Sequence, residues 1–124
     1  MTLRELYDNI GENYEQALRV LRVEKLVDKH IRKLIPNGLI DSLLAAGKDM
    51  DPSRLFETAH AVKGNCGNLG LTQLAAAASE ITEEFRPGSG RKKTDAEVAA
   101  LLEKISAQYK RTTEEIRKYE AGSL

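Results

Sequence analysis

Tryptophan is absent from this 124-residue chain, and two Phe and four Tyr are its only aromatics. Large rings therefore cannot dominate the interior, which must be built from Leu, Ile, Val and Ala. One cysteine, Cys66, excludes an internal disulfide and fits a reducing compartment. Net charge is absent too: 19 basic and 19 acidic residues cancel. No broad field then favours nucleic acid or anionic lipid, and neither is expected as a partner. No apolar run approaches the ~20 residues of a membrane span. The start, Met1-Thr2-Leu3-Arg4, has neither the apolar run nor the cleavage site of a leader. A cytoplasmic protein is expected. Sustained alternation of period two is also missing, so no sheet is expected.

What is present favours helices. Leu, Ala, Glu, Lys and Arg dominate, and the length suits a single domain, 1–124, with a bundle core over about 12–120. The pattern predicts a first helix over Leu3–Ile10 ending near Gly11, and a second from about Asn13 with Tyr14, Ala17, Leu18 and Leu21 at helical spacing. Whether that helix runs on or breaks near Arg22 is left open. Val23, Leu26, Val27, Ile31 and Leu34 form the next apolar stripe, interrupted by Pro36-Asn37-Gly38. A helix over Leu39–Ala46 is expected to stop at Gly47. The following one is capped by Asp51 with Pro52 at its first position. Its seam is Leu55, Ala59, Val62, Cys66 and Leu69, and Gly70 suits a left-handed end. Thr72 is expected to cap a helix with seam Leu74, Ala78, Ile81 and Phe85, before the breaker Pro87-Gly88-Ser89-Gly90. Thr94 and Glu97 have capping-box spacing. Val98, Leu101, Leu102, Ile105, Tyr109, Ile116 and Tyr119 line the last helix, and the tail from Ala121 is expected to fray. The fold class read from this is all-α: an antiparallel four-helix bundle with additional short N-terminal helix or helices.

The segment His60-Ala61-Val62-Lys63-Gly64-Asn65-Cys66-Gly67 carries the chemistry. On a wheel of about 100° per residue with His60 at zero, Gly64 falls near 40°, Gly67 near −20° and Lys63 near −60°. The apolar seam centres near 220°, so the imidazole faces solvent. Glycine in a helix costs about 1 kcal/mol relative to alanine. Two of them beside a histidine clear space for something large to approach. A neutral imidazole is a nucleophile able to accept a phosphoryl group, and the Lys63 ammonium can offset the charge that group brings.

At these residues the chain resembles the histidine phosphotransfer (HPt) domain family. The pattern His-x-x-Lys-Gly-x-x-x-x-Leu-Gly is present as His60, Lys63, Gly64, Leu69 and Gly70, flanked by Phe56-Glu57-Thr58-Ala59 and Leu71-Thr72-Gln73-Leu74. The likeness extends over about Tyr14 to Tyr119, and the Pro36 break matches a feature of some members. Asn65 and Cys66 depart from the small residues common after the glycine, which leaves the lining there open. The resemblance implies a four-helix bundle that relays phosphate between receiver-domain aspartates. His60 would be the phosphoacceptor, on Nε2, and Lys63 would steady the phosphate. Gly64, Gly67 and Glu57 would belong to the receiver-docking surface. The chain itself would need no cofactor; Mg²⁺ would come with the receiver. Partners would be response-regulator receiver domains or a hybrid histidine kinase. Two alternatives stay open: the phosphoacceptor module of a larger chemotaxis-type kinase system, and a non-catalytic helical adaptor.

Other residues have two readings each. Glu57 either orients the imidazole through a ring hydrogen bond or is a solvated charge. Cys66 reads as a packed thiol; its spacing from His60 puts the two on different helix faces, so no metal site is expected. His30 reads as a half-buried structural residue, with the edge of the His60 surface as the alternative. Arg91-Lys92-Lys93 reads as a solvated turn at one end of the bundle or as an element of receiver selection.

Overall fold

The computed structural model describes residues 1–122, and within them the chain forms seven helices and no strand. They are α1 (Leu3–Ile10), α2 (Tyr14–Leu21), α3 (Glu24–Ile31), α4 (Leu39–Asp49), α5 (Pro52–Asn68), α6 (Thr72–Glu84) and α7 (Asp95–Gly122). The last four pack in a ring, each against its neighbours in sequence and α4 against α7. Short connections make neighbours antiparallel. Gly47 lies against Leu102, and Asp41 accepts a hydrogen bond from Tyr109, so α4 and α7 run in opposite directions as well.

Helix α7 has 28 residues against 17 in α5, about 16 Å longer at 1.5 Å per residue. The N-terminal helices cover that overhang. Leu3, Leu6, Tyr7 and Ile10 of α1 are all buried, and Gln108 of α7 donates to the Ile10 carbonyl. Tyr7 donates its hydroxyl to the Leu69 carbonyl at 2.6 Å, satisfying an acceptor at the end of α5. Helix α2 lies on the α5–α6 corner, where the Asn13 N–H donates to the Gly70 carbonyl at 2.9 Å. Gly70 has φ +68, and a Cβ there would stand 2.0 Å from the Asn13 carbonyl oxygen. No other residue fits that corner.

The seams on α5 and α6 are buried as the periodicity predicts, and Asp51 and the Thr94–Glu97 box cap their helices. Four expectations need correction. Gly47 does not stop α4, which continues to Asp49; the glycine is there because a Cβ would come within 2.5 Å of Leu102. Thr72 does not cap α6. The Glu12 carboxylate, 61 residues away in sequence, accepts from the Gln73 N–H at 3.1 Å instead, and burial raises its pKa. Ala121 and Gly122 belong to α7 rather than to a frayed tail; the rest of that tail lies outside the described residues. Val23 and Leu26 leave the apolar stripe, because α2 ends at Arg22 and the chain turns them outward while Val27, Ile31 and Leu34 go in.

The Arg91–Lys93 segment is not a freely solvated turn. The Glu84 carboxylate, 3% exposed, takes Arg91 at 2.6 Å and the backbone N–H groups of Lys92 and Lys93 at 3.1 and 2.8 Å. Burial pushes the Glu84 carboxyl up, but these donors outweigh it and hold its pKa below the ordinary 4.5. A lowered folded value means stability that is complete above the unfolded value of about 4.5 and lost as pH falls from there through the folded one. Glu84→Gln is therefore expected to weaken the protein at pH 7 and to flatten its loss of stability on acidification. Urea midpoints measured from pH 7 to pH 3 check this, and parallel profiles for the two proteins would contradict it.

Candidate functional site

His60 stands at the centre of α5, four residues after Phe56. Helical side chains lean towards the N-terminus, so a residue at i+4 comes down over the one at i. The His60 ring does this. It stacks on Phe56 with centroids 5.8 Å apart and planes 9° apart. Phe56 is half-buried and anchored, so it sets the plane of an imidazole that is otherwise exposed. The Arg86 guanidinium also lies on Phe56, 5.4 Å from its centroid, and pairs with Glu83 through two contacts of 2.9 Å. The paired guanidinium depresses the Glu83 pKa, helped by Lys63 and His60. The site thus draws on two antiparallel helices: His60, Phe56 and Lys63 on α5, Glu83 at the end of α6, and Arg86 just beyond it.

Lys63 is half-buried and joins no ion pair among the described residues. Its ammonium is one turn from the ring and available to an arriving anion. Glu57 is exposed and, among the described residues, makes no hydrogen bond to His60. The orienting contact comes from Phe56 instead. In the sequence Phe56 is only a flank of the motif. Its stacking could have been anticipated from the i, i+4 spacing, whereas Glu83 and Arg86 depend on the register of α6 against α5, which no local pattern encodes.

Gly47, Gly64 and Gly67 occupy positions within α4 and α5, and they differ in kind. At Gly47 a side chain collides with Leu102. At Gly64 and Gly67 an added Cβ meets nothing within 4 Å. The chain's own packing therefore gives no reason for either glycine, and at Gly64, in the helix interior, about 1 kcal/mol of helix propensity is forgone. A side chain at Gly64 would lean back over His60. Without it, the outer surface of α5 is bare from the imidazole to the end of the helix, where Gln16 of α2 donates to the Gly67 carbonyl at 3.2 Å.

Cys66 is fully buried opposite this face, and burial pushes its thiol up to about 12, which makes it unreactive near neutral pH. His30 is half-buried in α3. No group of three or more His, Cys, Asp or Glu among the described residues is arranged to hold a metal ion, and no helix there is long and apolar enough to cross a membrane.

The chemistry available is that of a nucleophile on a flat, open surface. Among the described residues no cavity encloses His60, and the open face suits a partner that arrives as a surface. Comparison with curated proteins returned no significant match, nor did comparison with solved structures. The family model described as "Hpt domain" matches residues 3–117. With nearly the whole chain matched, the protein belongs to the Hpt domain family, histidine phosphotransfer modules of phosphorelays that interact with receiver domains and kinases.

Proposed function

We propose that this protein relays a phosphoryl group between receiver-domain aspartates through His60. The observation that carries the reading is the pair of unpacked glycines, Gly64 and Gly67, beside an exposed and oriented imidazole. In the forward step the Nε2 lone pair attacks the phosphorus of an aspartyl phosphate. The N–P bond forms as the P–O bond to the carboxylate breaks, the aspartate leaves as a free carboxylate, and the ring keeps its proton on Nδ1. Transfer onward reverses these roles. Such transfers depend on alignment and on spreading charge. Phe56 supplies alignment by fixing the ring plane, and Lys63 supplies a cation for the phosphoryl oxygens. Glu83 opposes the incoming negative charge, and its pairing with Arg86 tempers that opposition. The receiver brings the aspartate and the Mg²⁺ that such domains use, so this chain needs no metal of its own.

Mixing the protein with a phosphorylated receiver domain tests the reading. The expected result is label on this chain that is stable in base and labile in acid, as a phosphoramidate bond requires, and no labelling from ATP alone. Lys63→Ala is expected to slow transfer about tenfold, the usual scale for losing one charge-assisted contact, with little change in unfolding midpoint. Label that survives acid but not base, or an equal rate for Lys63→Ala, would contradict this reading.

A further inference from the structure

The α2–α3 corner combines three features that the bundle does not require. Val20, Val23 and Leu26 are 45%, 51% and 38% exposed; beside Met1, no other large hydrophobic residue among the described ones is exposed. Around them the sequence from 19 to 33 carries six Lys or Arg against two acidic residues, in a chain whose charges cancel only in total. Arg19, Arg22, Lys25 and Lys29 are all exposed there, with Glu24 as the exposed carboxylate among them. Asp28, the other, is engaged by Arg32 and Tyr119. Finally, Arg22 turns the corner at φ +77, a conformation that residues with a side chain rarely adopt. That turn is what leaves Val23 and Leu26 facing solvent beside Val20.

The corner adjoins the bare surface of α5. Gln16 bonds the Gly67 carbonyl, and Val20 follows it by one turn on the same side of α2. His60 to Gly67 is about 10 Å along α5, and Gln16 to Val20 about 6 Å along α2. A typical docking footprint of about 800 Å² per partner has a radius of about 16 Å. A partner seated over His60 and the glycines therefore reaches the corner.

Resting on the phosphorelay reading, we infer that the Val20–Leu26 corner is the specificity contact for the receiver domain that docks at His60, and that this receiver presents an acidic rim around an apolar patch there. Charge complementarity selects this occupant: cations ringing exposed aliphatics fit carboxylates ringing aliphatics on a protein. A lipid surface fits less well, since the corner offers no aromatic residue and only three aliphatics to insert. In the Arg91–Lys93 segment, an alternative source of selectivity in the sequence, Arg91 is held by Glu84 and Asp95 and Lys93 pairs with Glu80.

The test separates docking from chemistry. Phosphoramidate, a small donor needing no protein surface, loads His60 directly by transferring its phosphoryl group to the ring and releasing ammonia. The loaded protein is then mixed with a receiver domain that accepts phosphate from it. A chain carrying Arg19→Glu, Arg22→Glu and Lys25→Glu is expected to load normally and to transfer about tenfold or more slowly at low salt, with the difference shrinking at about 0.5 M salt. Lys25→Glu alone, at the exposed start of α3 where a carboxylate suits the helix, is expected to show a smaller slowing with the same salt dependence. Transfer within twofold of the native rate at both salt concentrations, by variants that load normally, would overturn this inference and leave the phosphorelay reading standing. So would variants that keep native transfer but lose binding to phosphatidylserine vesicles. If native protein neither loads on His60 nor exchanges phosphate with any receiver, both fall together.

Discussion

Gly64→Leu is expected to abolish receiver-dependent transfer while making the isolated protein slightly more stable. The two effects come from one geometric fact. A side chain at 64 meets nothing within the molecule, so the fold gains roughly 0.5–1 kcal/mol of helix propensity with no steric cost. The same side chain leans over His60 and occupies the space a receiver needs. We expect a fall in transfer rate of a hundredfold or more, on the scale of a displacement of about 1 Å at a reacting centre. Loading by phosphoramidate should fall much less, because a small donor can pass the leucine. Measuring the urea midpoint and the transfer rate on one preparation checks both signs. A normal transfer rate would refute the docking argument, and a large loss of stability would refute the claim that the glycine is unpacked.

That prediction could be framed from the sequence, and much of the surrounding structure could be too. The seam Leu55–Leu69 follows from spacing alone, and the exposure of His60 follows from its position opposite that seam. Asp51-Pro52 and Thr94–Glu97 are local signals with local partners, so the chain around them reads correctly. Most of the failures are long-range. Gly47 looks like a helix stop unless Leu102 is known to press on it. The capping role assigned to Thr72 belongs to Glu12, brought in by the fold of α1 and α2. Glu57 and Phe56 both precede His60 by about a turn, and only the side-chain directions distinguish the ring that stacks from the carboxylate that does not. Glu83 and Arg86 join the site through helix pairing, and the outward turn of Val23 and Leu26 through a left-handed Arg22. Apart from the Phe56–His60 stack, the deciding contact is made by a residue far away in sequence, or by a backbone conformation that the residue type does not announce.

Gly70→Ala is expected to be the most damaging single substitution to the fold. The left-handed φ of +68 penalises any side chain, and the Cβ would stand 2.0 Å from the Asn13 carbonyl oxygen and 3.0 Å from the Ala17 nitrogen. Both neighbours are backbone, so no rotamer change relieves them; α2 must move off the α5–α6 corner. The expected loss is about 3 kcal/mol or more, a large share of the 5–15 kcal/mol typical of a domain. Because α2 carries Gln16, which holds the Gly67 carbonyl, protein that remains folded should also transfer phosphate more slowly. Urea unfolding measures the first effect. A loss below about 1 kcal/mol would show that α2 is not seated as the structure has it.

Gly64, Gly67, the Val20–Leu26 corner and Lys63 bear on transfer only if phosphate travels through the His60 ring. Incubating native protein and His60→Gln with the same phosphorylated receiver, and following label on each chain, tests that directly. The account predicts acid-labile label on the native chain and none on His60→Gln, with the two proteins unfolding at the same urea concentration. Label appearing on His60→Gln at the native rate would contradict it.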